Sequence, residues 1–293
     1  MDKESLQIRP VLVFVKRHAA SIILLLLGLF FTVQSFAQSS LLVIPRRVVF
    51  EGGGRRTQEL NLANGGNDTA RYSITIIDVR MKPDGTFEEI TTPDSGQNFA
   101  SGHIRIFPKH VILGPGESQS VKVQLTNVSK MAPGEYRSHI YFRALPPQRV
   151  ATGEKKMAKM VTNLKLKLKP MFGVTIPVII KLGENTTHVT ISDLAFEIAG
   201  DTMPRVTGII NRTGNMSSYG NISVEHISAE GHHTHVATVK GLAVYAPNET
   251  RKFAIQLSRN FGVNYKKGKL NVIYTAEVED RQVKMAEETL IIR

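Results

Sequence analysis

VTNLKLKLKPMFGVTIPVIIKLG, residues 161–183, contains two patterns in succession. Its first half alternates leucine with lysine, so a strand there would carry leucines on one face and lysines on the other. The members are Leu164, Leu166 and Leu168, called the leucine row below, and Lys165, Lys167 and Lys169. Its second half is almost wholly apolar, as is typical of a strand buried on both faces. The stretch predicts one long strand, edge-like and half solvated at its start and central in a sheet at its end.

The leucine row has two interpretations. The leucines face the domain's own core, as in any half-buried strand, or they are offered to a partner. The second is favoured because residues 148–160 just before the stretch are polar and basic without a burial pattern, and because the lysines suit a solvated edge. An exposed apolar edge promotes aggregation unless it is a working surface, and adding a strand to a partner is one such use.

Residues 1–37 have the composition of a secretory signal peptide. Basic residues 16–18 precede an apolar run, Ile22 to Val33, and the small residues Ser35 and Ala37 flank a cleavage site before Gln38. A retained membrane anchor is the alternative, but the uncharged run from residue 19 to 34 is short for a bilayer span. We therefore predict export to the periplasm, with no membrane span after cleavage.

Residues 38–293 are long enough for two domains, predicted at 38–182 and 183–293. The chain has no cysteine, which excludes disulfides, thiol catalysis and cysteine metal sites. The net charge of +12 becomes +10 without the four basic and two acidic residues of the signal peptide. This charge suits an acidic partner or an anionic surface. Export, and the lack of a basic helix studded with aromatic residues, argue against nucleic acid.

The remainder reads as short β-strands separated by turns, so the predicted fold class is all-β. Leu41 to Phe50 is a strand broken by Pro45, and Arg71 to Met81 is one strong strand that turns at residues 82–85. In the second domain the predicted strands have the spacing of a sandwich. They are residues 188–191, 195–198, 205–211, 221–227, 235–239, 252–257, 269–275 and 289–292.

No motif indicates an enzyme, a cofactor or a metal site. His232, His233 and His235 form the densest group of metal-ligating residues, but a hairpin after Gly231 is the simpler setting. Gly-x-Ser-x-Gly and His-Glu-x-x-His do not occur, and no pair of carboxylates is singled out. Arg46 and Arg47 are more informative. Beside Pro45, they form either a solvated charge pair or a grip for a carboxylate.

Together these segments resemble the periplasmic pilus-assembly chaperones of the chaperone/usher pathway, PapD-like proteins. The resemblance covers the mature chain and depends on the order of several segments rather than on one motif. They are residues 45–52 (PRRVVFEG), 60–64 (LNLAN), 113–117 (LGPGE), 135–147 (EYRSHIYFRALPP) and, more weakly, 245–248 (YAPN).

The resemblance implies two immunoglobulin-like β-sandwich domains set as a boomerang. It also implies that a pilus or fimbrial subunit binds along residues 161–183 by donor-strand complementation, with the leucine row in the subunit's groove. Arg47 matches the arginine that anchors the subunit's C-terminal carboxylate. Glu135 and Lys181 match two members of an interdomain charge cluster, and the acid expected near residues 264–265 is missing.

The family's second anchoring lysine has no counterpart. Alignment on Lys181 places Pro177 there, alignment on the leucine row places Gly173 there, and Lys169 is the predicted substitute. The resemblance further implies delivery to an outer-membrane usher, and leaves open whether two free copies cap each other. The alternative function is a structural or adhesive envelope protein that binds acidic glycans through its positive charge.

Overall fold

The computed structural model describes residues 41–52, 54–146, 173–199, 203–259, 263–278 and 281–292. Regular structure in these ranges consists of strands, apart from two short 3-10 turns at Ser101–His103 and Val128–Lys130. The leucine row and Lys169 lie outside these residues, as does the first half of the stretch quoted above. The all-β prediction is confirmed.

The first sandwich contains eleven strands within the described residues. They are β1 (Leu41–Ile44), β2 (Val48–Glu51), β3 (Thr57–Asn64), β4 (Ala70–Ile77), β5 (Val79–Met81), β6 (Phe87–Glu89), β7 (Ile104–Phe107), β8 (His110–Leu113), β9 (Ser118–Leu125), β10 (Gly134–Leu145) and β11 (Gly173–Leu182). One sheet has the order β1-β3-β9-β7 and the other β2-β11-β10-β4-β8, while β5 and β6 form a separate hairpin. Alternate residues of both sheets meet in one apolar core.

The first strand changes sheets at Pro45, where the sequence predicted a break. Before it, β1 pairs antiparallel with β3; after it, β2 pairs parallel with β11. Proline cannot donate a ladder hydrogen bond, so the strand can leave one sheet there and join the other. Arg46 and Arg47 occupy this crossing.

Strand β11 is the apolar half of the quoted stretch, and its burial is as predicted. It pairs along its whole length with β10, and from Val178 to Lys181 it also pairs with β2. Val178, Ile179 and Ile180 are fully buried.

One prediction about the first sandwich was wrong in detail, and one strand was missed. Residues 71–81 form two strands, because Asp78 leaves the ladder and accepts hydrogen bonds from the hydroxyls of Ser101 and Ser138. Strand β8 was not predicted, since four residues beside a turn give little alternation to detect.

The second sandwich contains β12 (His188–Ala199), β13 (Met203–Thr213), β14 (Ser218–Ile227), β15 (His233–Val244), β16 (Thr250–Gln256), β17 (Gly268–Val278) and β18 (Arg281–Ile292). Its sheets have the orders β12-β13-β16 and β15-β14-β17-β18. The separate strands predicted at 188–191 and 195–198 are one strand, β12, whose register shifts between Ser192 and Ala195. Asp193 has a φ of 52° at that bulge, which breaks the alternation that would have joined the two halves.

The two sandwiches share buried side chains. Met81 of β5 and Ile179 of β11 pack in the apolar core of the second sandwich. The β5–β6 hairpin also makes polar contacts there: Asn248 Nδ2 donates to the Met81 carbonyl at 2.7 Å, and the Lys252 amide donates to the Pro83 carbonyl at 2.9 Å. The hairpin therefore belongs to the interface as much as to the first sandwich.

Candidate functional site

A cleft of about 700 Å³ lies between the sandwiches, beside the crossing from β1 to β2. Its lining includes Arg46, Arg47 and Pro177 from the first sandwich and Tyr219, Lys240 and Glu277 from the second. Three cations and one acid give these side chains a net positive charge at neutral pH. Such a cleft favours an anion.

The cleft stands at one end of the β11 edge that faces away from β10. Strand β2 covers β11 only from Val178 onward, so along Gly173–Pro177 the edge opposite β10 has no strand partner among the residues the structure describes. Unpaired backbone groups on a strand edge can take up another strand. Pro177, which has no N–H, is the last residue of β11 before the part that pairs with β2.

Arg47 lies over an aromatic ring in this cleft. Its Cζ is 3.8 Å from the centre of the Tyr219 ring, a cation–π arrangement that fixes the plane of the guanidinium group. Its Nε is buried and has no hydrogen-bond partner within the described part of the chain. A guanidinium group held this way is suited to a carboxylate, which it can bind through two parallel hydrogen bonds.

Tyr219 is positioned by a bulge in the neighbouring strand. Gly241 has a φ of +73°, and its amide donates to Asn221 Oδ1 at 3.0 Å. A Cβ atom at Gly241 would lie 2.9 Å from the Tyr219 hydroxyl oxygen, so a larger residue would push the ring away. The sharp backbone conformation and the close approach both explain glycine here.

Tyr245 forms the inner wall of the cleft. The Arg137 Cζ atom is 4.6 Å from the centre of the Tyr245 ring. Burial raises the pKa of Tyr245 above its ordinary value, so its phenol stays protonated at neutral pH. Arg137 is itself 3% exposed, and desolvation lowers its pKa. The wall is therefore a packed layer of aromatic rings and guanidinium groups.

Glu135 links the sandwiches behind this wall. Its carboxylate accepts hydrogen bonds from the Ser217 amide, at 2.7 Å, and from the Ser217 hydroxyl. Lys181 faces Glu135 across β10 and β11 in the ladder, but its Nζ lies 3.9 Å from Glu51 Oε1, inside the first sandwich. Of the two residues predicted at the interface, Glu135 contacts the second sandwich, and the ion pair found for Lys181 is with the first.

Of the two positions where the resemblance placed a second lysine, Pro177 lies in the cleft and Gly173 begins β11.

The histidine group makes local contacts in the part of the chain that the structure describes. His233 Nδ1 lies 3.2 Å from Glu225 Oε2, and His235 Nε2 lies 2.9 Å from the Thr238 hydroxyl. Over the described ranges, no three His, Cys, Asp or Glu side chains are grouped as metal ligands would be.

In the same ranges no helix has the length and apolar character to cross a membrane.

Sequence reasoning missed Lys240 and Tyr219. Both lie on strands of the second sandwich, more than 170 positions from Arg47 in the sequence. Neither belongs to a local motif, since a lysine beside a glycine and a tyrosine at the start of a strand are ordinary. Only the approach of the two sandwiches brings them to the cleft.

No family model and no curated protein matches this chain. Among solved structures, it is similar to the class 5 fimbriae chaperone CfaA, with 12% identity, 87% of this chain and 99% of that chain covered, and a TM-score of 0.42. It is also similar to the E. coli chaperone DraB, with 12% identity, 87% and 96% coverage, and a TM-score of 0.39.

A third similarity is to the CsuC–CsuE chaperone–tip adhesion subunit pre-assembly complex from the archaic chaperone-usher Csu pili of Acinetobacter baumannii. It has 11% identity, 87% and 98% coverage, and a TM-score of 0.42. These solved structures are of the kind of protein that the sequence resembles.

Proposed function

We propose that this chain is a non-enzymatic periplasmic chaperone that captures an exported β-subunit, such as a pilus or fimbrial subunit, by strand addition. The observation that carries the proposal is the edge of β11 along Gly173–Pro177, which has no strand partner among the described residues and ends at a basic cleft containing Arg47. The edge supplies backbone hydrogen bonds, and the cleft supplies a cation for a chain terminus.

The direction of a captured strand follows from the position of β2. Both β2 and an added strand would lie on the same edge of β11, and β2 runs parallel to β11. If an added strand also runs parallel to β11, its carboxyl end lies at Arg47. Its terminal carboxylate would then meet the guanidinium group. An antiparallel strand would bring an amino terminus to the same cations, which is unfavourable.

The leucine row extends this proposal upstream. Leu168 precedes Gly173, the first residue of β11, by five positions. We propose that the row fills the subunit's groove while the edge at Gly173–Pro177 and the cleft hold the subunit's last residues. The signal peptide, delivery to an outer-membrane usher and the domain limits 38–182 and 183–293 belong to the same proposal.

The test is capture of the subunit by the tagged mature protein in the periplasm of its own host, with the co-purified chain identified by mass. We expect a 1:1 complex, lost in Leu166→Glu, which places a charge in the groove, and strongly reduced in Arg47→Ala. Lys269→Gln removes a charge at the exposed far end of β17 and should not affect capture.

Capture that survives both Leu166→Glu and Arg47→Ala would overturn the proposal. Salt-sensitive binding of acidic glycans, with no protein partner, would instead favour the adhesive alternative.

A further inference from the structure

The second sandwich supplies the cleft with a cation, whereas β11 contributes only Pro177 to its lining. Pro177 carries no charge, and the one cation of β11, Lys181, lies 3.9 Å from Glu51 within the first sandwich. Lys240 lines the cleft from the other side, on β15 of the second sandwich. The two arginines and Lys240 therefore face the same space from different sandwiches.

A bulge sets the position of Lys240. In the pairing of β14 with β15, Gly220 lies opposite Leu242 and Ile222 opposite Val239, so the single residue Asn221 faces both Lys240 and Gly241. The extra residue bends the strand and changes the direction of its side chains, as bulges often do beside binding sites. The hydrogen bond from the Gly241 amide to Asn221 Oδ1 holds this geometry.

We infer that Lys240 is the second cation of the carboxylate site, so that a subunit's C-terminal carboxylate is bound by Arg47 from one sandwich and Lys240 from the other. This inference rests on the proposed function and deepens it. Arg47 supplies a planar donor fixed on Tyr219, and Lys240 supplies a compact charge with three donors on a flexible stem. Binding would then require both sandwiches, not the first alone.

Glu277 should affect binding of a carboxylate in the opposite direction to Lys240. It is exposed on β17 and lines the same cleft, so it repels an incoming carboxylate. Removing its charge should strengthen binding, whereas a variant that merely disturbs the fold would weaken it.

The experiment uses two probes with the whole mature chain at low ionic strength: N-acetyl-glycyl-alanine, with a free carboxylate, and its C-terminal amide. Binding is followed by NMR of labelled lysine and arginine side chains. We expect the acid to shift the signals of Arg47 and Lys240, and the amide to shift neither. Because the cleft is open to solvent, Lys240→Gln should lower the affinity for the acid about three- to fivefold.

Matched variants separate the contributions. Lys240→Arg should retain most of the affinity, Glu277→Gln should increase it about twofold, and Lys269→Gln, with the same loss of charge elsewhere, should leave it unchanged. If Arg47→Ala abolishes binding of the acid while Lys240→Gln behaves like Lys269→Gln, the inference is wrong and the proposed anchor stands. If the acid shifts neither signal, the carboxylate site itself is overturned, and subunit capture then decides the proposed function separately.

Discussion

His139 is a titratable residue placed where it cannot easily take up a proton. It is 3% exposed, its ring centre lies 5.1 Å from that of Phe87 and 6.4 Å from that of Tyr245, and its Nδ1 has no hydrogen-bond partner in the described chain. Burial first, and the charge of Arg137 second, lower the pKa of His139 to about 3. The folded protein therefore holds this imidazole neutral in mildly acidic solution, where the unfolded chain protonates it.

This difference predicts an acid-sensitive stability. Between the ordinary pKa of 6.5 and about 3, the unfolded state binds one proton more at this position, so the free energy of unfolding falls as the pH falls. The slope is at most about 1.4 kcal/mol per pH unit. Denaturant unfolding at pH 7, 6 and 5 should show the decline in the native protein and a flatter profile in His139→Phe.

The control for His139 is His110→Phe, which removes an imidazole at an exposed position of β8. Its pH profile should match that of the native protein. A His139→Phe variant that kept the full decline between pH 7 and 5 would show that other groups cause it.

Replacing Glu135 should lower the stability of the protein at neutral pH. In Glu135→Gln one of the two acceptors for Ser217 becomes a donor and the charge is lost, so a buried hydrogen bond is broken. We expect the free energy of unfolding to fall by about 1–3 kcal/mol. Glu59→Gln removes an exposed carboxylate 3.8 Å from Lys122 and should change it by less than about 1 kcal/mol. Equal effects of the two variants would contradict the role given to Glu135.

Among the elements, the β5–β6 hairpin is the one whose position could not be deduced from its sequence. Residues 82–85 correctly predicted its turn, since Pro-Asp-Gly is turn chemistry. The alternation of residues 71–81 hid the break at Asp78, because that residue leaves the ladder to meet Ser101 and Ser138, which are distant in the sequence. Local patterns predict strands well, but not contacts between distant segments.

The hairpin makes a testable contribution to stability through Met81. This side chain is 2% exposed and packs in the core of the second sandwich. Met81→Ala should lower the free energy of unfolding by about 2–4 kcal/mol, since it leaves a cavity between the sandwiches. Ile112→Ala, on an exposed position of β8, should have little effect. A small effect of Met81→Ala would mean that the hairpin does not brace the interface.

At the scale of the whole molecule, the cleft exists only because the two sandwiches are held together. Glu135, Met81 and the Lys252 amide each join the first sandwich to the second. The sequence predicted Arg47 from its place beside Pro45 and from a resemblance, and it predicted Glu135 from the resemblance alone. It could not predict Tyr219 or Lys240, because their place in the cleft depends on packing between elements that carry no shared sequence pattern.

This bracing predicts a narrow distance distribution between the sandwiches. The chain has no native cysteine, so Gln119→Cys and Lys269→Cys allow a spin label on an exposed strand of each sandwich. Pulsed electron paramagnetic resonance should give one narrow distribution of the distance between the two labels. Adding Met81→Ala and Glu135→Ala to the labelled protein should broaden it, whereas adding Ile112→Ala should not. A broad distribution in the starting protein would mean that the cleft is not preformed.

The start of β2 at Val48 limits how far an added strand can extend along β11. Because β2 occupies the edge of β11 from Val178 onward, a strand laid along Gly173–Pro177 cannot slide past that point. The carboxyl end of the added strand therefore sets its register on β11. Strands of different length would then differ only in how far their amino ends extend. Under the proposed function, two subunits with the same last few residues therefore bind in the same register, whatever their lengths.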